Sequence, residues 1–174
     1  VIEGDEYDTA YFDKGAKFYH YHPLMAVVTS IEFDHADIFR DINHVKDTFD
    51  GFLSQMPPES VLFAFAEDKN IVELIKGKSC RIKSYGKNAK AMWRLGSVWV
   101  DPPWACFEVL KQGVPFGTFK TKLMGEHNLY NALSAIAMAS ELDMVVLVLK
   151  NIRSQWFGQT DVILERLRRV LDAL

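Results

Sequence analysis

Three short segments, far apart in the chain, hold residue types able to bind a metal ion or an anionic ligand. They are E-G-D-E-Y-D at residues 3–8, I-E-F-D-H-A-D at 31–37 and G-E-H-N-L-Y-N at 125–131. Glu3, Asp5, Glu6 and Asp8 place four carboxylates in six residues. They read either as a solvated acidic loop or as a strand end at which Glu3 binds a hard divalent cation. Mg2+ takes one or two carboxylates and leaves its other positions to waters and phosphate oxygens. Asp34, His35 and Asp37 follow a buried strand, and in parallel α/β sheets ligands bind beyond the carboxyl ends of strands. His35 is then either a surface residue between acids or a contact to metal or phosphate, with Asp34 orienting its imidazole. In the third segment Asn128 can cap a helix. Capping leaves His127 and Asn131 unexplained; two amides at i and i+3 beside an imidazole could read the edge and face of a nucleobase.

These segments need rigid elements to carry them. Residues 24–31 (LMAVVTSI) are β-branched and apolar on both faces, which predicts a central parallel strand. Residues 41–56 repeat Ile42, Val45, Phe49, Phe52, Leu53 and Met56 at helical spacing, and Pro57-Pro58 stops the helix. Residues 60–66 (SVLFAFA) predict a second buried strand, and 68–76 a short helix ended by Gly77. Residues 80–85, 92–100, 106–111 and 114–123 predict successive strands, with a hairpin turn at Gln112-Gly113. They are expected to form a small antiparallel sheet beside the main one. Residues 128–142 predict a helix, as do 161–174, where Glu165 and Arg169 lie one turn apart. The fold class expected is α/β: a mostly parallel sheet flanked by helices.

Composition narrows the function. The net charge of −3 over 174 residues argues against a nucleic-acid surface, which needs clustered Lys and Arg. No apolar run approaches the roughly 18 residues of a membrane span. Cys80 and Cys106 fall in no CxxC or zinc-ligand spacing, so a reducing, cytoplasmic setting is expected. The chain begins V-I-E-G-D without an initiator Met, which reads as part of something longer.

Taken together, E-G-D-E-Y-D-T-A-Y-F-D-K, H-Y-H-P, E-F-D-H-A-D-I-F and G-E-H-N-L-Y-N resemble the central, ATP-binding domain of the Mur ligases. The wording is closer to the branch that recycles murein peptides than to the one that adds L-alanine. The resemblance covers residues 1–144 and implies a fold like that of the P-loop NTPases, incomplete here at both ends. It implies that Glu3 and His35 bind Mg2+ and act in catalysis, and that His127, Asn128 and Asn131 surround the adenine of ATP. It also implies the reaction. A carboxylate of UDP-N-acetylmuramate attacks the γ-phosphate to give an acyl phosphate, which the amine of a murein tripeptide, L-Ala-γ-D-Glu-meso-diaminopimelate, then attacks.

Some family features are missing. A Gly-rich phosphate loop is expected upstream of Glu3, and these residues contain no G-x-x-x-x-G-K-[ST]. The chain alone is therefore expected to be inactive. Residues 1–143 are expected to form the central domain, and 144–174 a divergent segment in which Arg168-Arg169 do not follow the family's arginine pattern. Two other readings remain: a non-catalytic remnant using Trp156, Phe157 and the last helix as an interaction surface, and a metal-dependent hydrolase built on Glu3, Asp34 and His35.

Overall fold

The structure, a computed structural model, describes residues 2, 4, 8–10 and 13–142. Glu3, Asp5 and Glu6, the side chain of Asp8, and everything expected of residues 144–174 lie outside the described residues. A short antiparallel pair, β1 (Asp8–Ala10) and β2 (Asp13–Ala16), comes first. A 3-10 turn at Lys17–His20 then buries Phe18 against Phe49 and Phe52.

One six-stranded sheet follows, in the spatial order β3 (Met25–Val28), β4 (Val61–Phe65), β5 (Arg81–Gly86), β6 (Trp93–Asp101), β7 (Trp104–Lys111), β8 (Val114–Thr121). The β3–β4, β4–β5 and β5–β6 pairings are parallel, the last two antiparallel. Alternation along β3 and β4 sorts the core into two layers. Val28, Leu62 and Ala64 meet helices α1 (Ile42–Gln55) and α2 (Lys69–Leu74). Val27, Val61 and Phe63 face helix α3 (Glu126–Glu141), which buries Leu129, Leu133, Ile136 and Ala137. A mostly parallel sheet flanked by helices is thus present.

Two details differ from expectation. Among the described residues β3 lies at the edge of the sheet, pairing only with β4. It is apolar on both faces because helices cover both. The antiparallel strands form no separate sheet either. Tyr85 and Gly86 pair in parallel with Trp93 and Arg94, and residues 95–101 then run past the end of β5 by roughly 20 Å. β6, β7 and β8 therefore extend the main sheet and rise beside its carboxyl edge. The turn between β7 and β8 is as predicted, with Gln112 and Gly113 at φ +52° and +80°, the left-handed pair that a tight hairpin needs.

Helix α1 starts at Asp41, whose carboxylate accepts the N–H groups of Asn43 (2.8 Å) and His44 (3.0 Å). It ends where Met56 turns extended before Pro57. The His44 amide, followed by that of Asn43, holds the Asp41 carboxyl below its ordinary value of 3.8. The cap is thus in full force above pH 3.8 and is lost as pH falls through the lowered folded value. Asp41→Asn, which keeps the acceptor without the titration, should flatten the acid limb of a pH–stability profile relative to the parent. An unchanged acid limb would remove Asp41 as a contributor.

Candidate functional site

Strands β3, β4 and β5 end at one edge of the sheet, and the loops beyond them hold most of the polar residues singled out above. The loop after β3 is pinned first. The Ile31 N–H donates to Asp68 Oδ2 (2.9 Å), and the Ile31 carbonyl accepts from Asn70 Nδ2 (2.8 Å). Asp68 also caps α2, its Oδ1 accepting the N–H groups of Asn70 and Ile71. One carboxylate therefore starts a helix and holds the neighbouring strand's exit.

From this anchor the chain reaches Asp34 and His35. His35 has φ +54°, and its carbonyl accepts the N–H groups of Ile38 and Phe39, each at 2.9 Å. Phe39, only 4% exposed, ties the far side of the loop into the core. Asp34 acts on the backbone rather than the ring. Its Oδ1 accepts the His35 N–H at 2.7 Å, while Oδ2 lies 3.9 Å from His35 Nε2, too far for a hydrogen bond. The expected orientation of the imidazole by Asp34 is therefore not made, because the left-handed turn brings the main-chain amide to the carboxylate instead. Asp34 and Asp37 are exposed and His35 is partly buried.

The second group lies on the first turn of α3. The helix begins two residues earlier than expected, with Gly125 at the N-cap (φ +98°) and Glu126 in the first turn. Asn128 is therefore inside the helix and does not cap it; its Nδ2 donates backwards to the Met124 carbonyl at 2.7 Å. Glycine at 125 avoids a strained backbone, and a Cβ there would make a tight contact, 3.1 Å, with the His127 ring. His127 and Asn131 are exposed, and Asn128 is half-buried.

This turn is fastened to the sheet edge. Lys87, just beyond β5, places Nζ 2.8 Å from Glu126 Oε1, which also accepts the Tyr130 hydroxyl at 2.5 Å. These two partners, Lys87 first, hold the Glu126 carboxyl below the usual carboxylate range. Burial, reinforced by Glu126, pushes the Tyr130 phenol up. The Tyr130 ring packs on Phe65 at 4.8 Å between centroids, and the Tyr85 hydroxyl donates to the Val28 carbonyl at 3.3 Å.

The structure thus gathers His127, Asn128 and Asn131 on one helical turn and puts His35 at the same sheet edge, on the β3 side. Asp68, Asn70, Lys87 and Tyr130 were not singled out from sequence. D-K-N directly after a buried strand was the available signal for the first pair, and the i, i+4 relation of Glu126 and Tyr130 for the last. Among the described residues no group of three or more His, Cys, Asp or Glu is arranged to hold a metal ion. Among them, too, no helix is long and apolar enough to cross a membrane.

Known proteins share this sequence and fold. Residues 6–139 match the Mur ligase middle domain. The chain is 38% identical over 122 residues to the UDP-N-acetylmuramate--L-alanine ligase of Acetivibrio thermocellus, across 69% of this chain and 26% of that protein. It is 34% identical over 147 residues to the UDP-N-acetylmuramate--L-alanyl-gamma-D-glutamyl-meso-2,6-diaminoheptandioate ligase of Haemophilus influenzae, across 84% of this chain and 32% of that protein. The crystal structure of the corresponding meso-diaminopimelate ligase from Neisseria meningitidis superposes with a TM-score of 0.73 at 37% identity, covering 82% of this chain and 43% of that one. The chain spans about a quarter to a third of the length of these two curated relatives. With its middle-domain match running through most of the sequence, the chain belongs to the Mur ligase family.

Proposed function

We propose that this chain is the nucleotide-handling part of an ATP-dependent ligase joining UDP-N-acetylmuramate to the murein tripeptide L-Ala-γ-D-Glu-meso-diaminopimelate. The observation that carries the reading is the first turn of α3. It presents His127, Asn128 and Asn131 together, beside the sheet edge where α/β folds bind ligands. An imidazole and two amides give the donors, acceptors and flat face that an adenine needs. In the reaction, a muramate carboxylate oxygen bonds to the γ-phosphorus and ADP leaves. The tripeptide amine then bonds to the carbonyl carbon and phosphate leaves.

His35 and Glu3 are the residues proposed to hold Mg2+ and to serve catalysis through it. Among the described donors, His35 is a partly buried imidazole with the exposed carboxylates of Asp34 and Asp37 close by in sequence. Mg2+ retains waters and phosphate oxygens in such settings, and when bound it would offset the repulsion between a carboxylate and the phosphates. The 174 residues hold no phosphate loop of the G-x-x-x-x-G-K-[ST] type, so this polypeptide by itself should release no phosphate from ATP.

Ligases of both branches match over most of the chain, up to 84% and 83% of it; the tripeptide branch is favoured by the Neisseria meningitidis structure, which combines 37% identity with a TM-score of 0.73. The test is product analysis. The full-length protein carrying this segment is incubated with ATP, UDP-N-acetylmuramate and equal amounts of tripeptide and L-alanine, then examined by mass spectrometry. A tripeptide adduct is expected; an L-alanine adduct alone would reassign the substrate.

A further inference from the structure

Glu67 lies two residues beyond β4, at the exposed rim of the site. Its Oε1 accepts the backbone N–H groups of both Lys87 (2.7 Å) and Asn88 (2.5 Å), the two residues that follow β5. A carboxylate taking two adjacent amides makes charge-assisted bonds, roughly twice as strong as neutral ones. The same carboxylate sits over Gly86. That residue has φ +149°, and a Cβ there would come within 1.9 Å of Glu67 Oε2. Glycine is needed at 86 for its backbone conformation and to leave room for the carboxylate.

The turn held in this way carries Lys87, which reaches Glu126 at the start of α3. Glu126 in turn receives the Tyr130 hydroxyl, and the Tyr130 ring packs on Phe65, two residues before Glu67. The contacts close a ring from β4 to the turn after β5, to α3, and back to β4. The Lys87–Glu126 link is exposed on both sides, and such a pair alone holds little. Its rigidity depends on the Glu67 clamp at one end and the Tyr130–Phe65 packing at the other.

We propose that Glu67 is a positioning residue: it fixes the turn after β5 so that Lys87 and Glu126 set the first turn of α3, and with it His127, Asn128 and Asn131. The purpose of this positioning rests on the nucleotide reading above. The position of α3 itself does not depend on that reading.

The test compares amide NMR spectra and hydrogen exchange for the 174-residue chain and the variants Glu67→Ala, Glu67→Gln and Gly86→Ala. In Glu67→Ala, the Lys87 and Asn88 amides should exchange about tenfold faster, the loss of one charge-assisted bond. Resonances of residues 126–131 should move with them. Glu67→Gln should restore both groups, because its carbonyl can accept the same two N–H groups. Gly86→Ala should reproduce the alanine result by expelling an intact Glu67, and it carries the test if Glu67→Ala does not fold. The proposal is overturned if 87–88 respond while 126–131 keep their wild-type positions, or if Gln behaves like Ala. ATP added to the wild-type chain separates the two claims. If α3 moves in the variants but ATP leaves the wild-type spectrum unchanged, the nucleotide reading falls and positioning by Glu67 stands.

Discussion

Replacing Asp68 by alanine should destabilise the chain by about 2–4 kcal/mol, since it removes a helix cap and a carboxylate hydrogen bond in one step. Asp68 caps α2 through the Asn70 and Ile71 amides and separately receives the Ile31 N–H. Ile31 is 1% exposed, so its amide would be left without that partner in a buried setting. The loss should also be directional. The loop carrying Asp34 and His35 leaves the sheet at Ile31, so amide exchange across 32–37 should rise more than at α3. Asp68→Asn sharpens the test. One side-chain oxygen can still cap α2, but the amide nitrogen then faces the Ile31 N–H with a second donor. Urea unfolding should place Asn between wild type and Ala, with the loop as mobile as in Ala. An Ala variant as stable as wild type would mean that Asp68 holds neither element.

Leu133→Ala should cost about 2–5 kcal/mol, the range for removing a fully buried leucine. Leu133 is 0% exposed and belongs to the layer in which α3 meets Val61, Phe63, Trp93 and Phe107. Both ends of α3 are held by ion pairs: Glu126 to Lys87, and Glu141 to Lys83 and, at 3.7 Å, to Arg81. The Lys87–Glu126 pair is exposed and worth at most about 1 kcal/mol, and the part-buried Lys83–Glu141 pair fastens only the far end of the helix, so burial at Leu133 is expected to set the strength of the attachment. The fall should appear as a lower urea midpoint with an unchanged slope. A loss under about 1 kcal/mol would show that the cavity collapses or that α3 is held mainly by its ends.

Local patterns made part of this fold legible. The helical stripe from Ile42 to Met56, the apolar run of β4 and the Gln112-Gly113 turn each announce themselves within a few residues. The position of β3 and the continuity of the sheet did not, because both depend on pairing between distant segments. β5 and β6 share only two paired positions, Tyr85 with Trp93 and Gly86 with Arg94, and nothing local predicts them. The start of α3 was misplaced for a physical reason. Asparagine is a strong N-cap residue, but the Met124 carbonyl takes the Asn128 amide, and Gly125, free to adopt φ +98°, serves as cap instead.

The site shows the same division. Residue types and spacing pointed to His35 and to the triplet His127, Asn128 and Asn131. The residues that hold them in place stayed hidden. An exposed glutamate after a strand resembles any surface glutamate, and the tie between Glu67 and Gly86-Lys87-Asn88 exists only once two parallel strands lie side by side. An acid beside a histidine often orients its ring, which is one of the two readings the sequence leaves open for Asp34. The positive φ at His35 offered its backbone amide first.

The most direct test of the central claim is an amide NMR titration of this chain with Mg-ATP, set against Mg-GTP at equal concentration. If the first turn of α3 reads adenine, ATP should shift residues 125–131 in a saturable way and GTP should leave them largely in place. Residues 34–37 should respond to both, through the phosphates and the ion. Equal shifts with both nucleotides, or no response at 125–131, would contradict an adenine site at His127, Asn128 and Asn131.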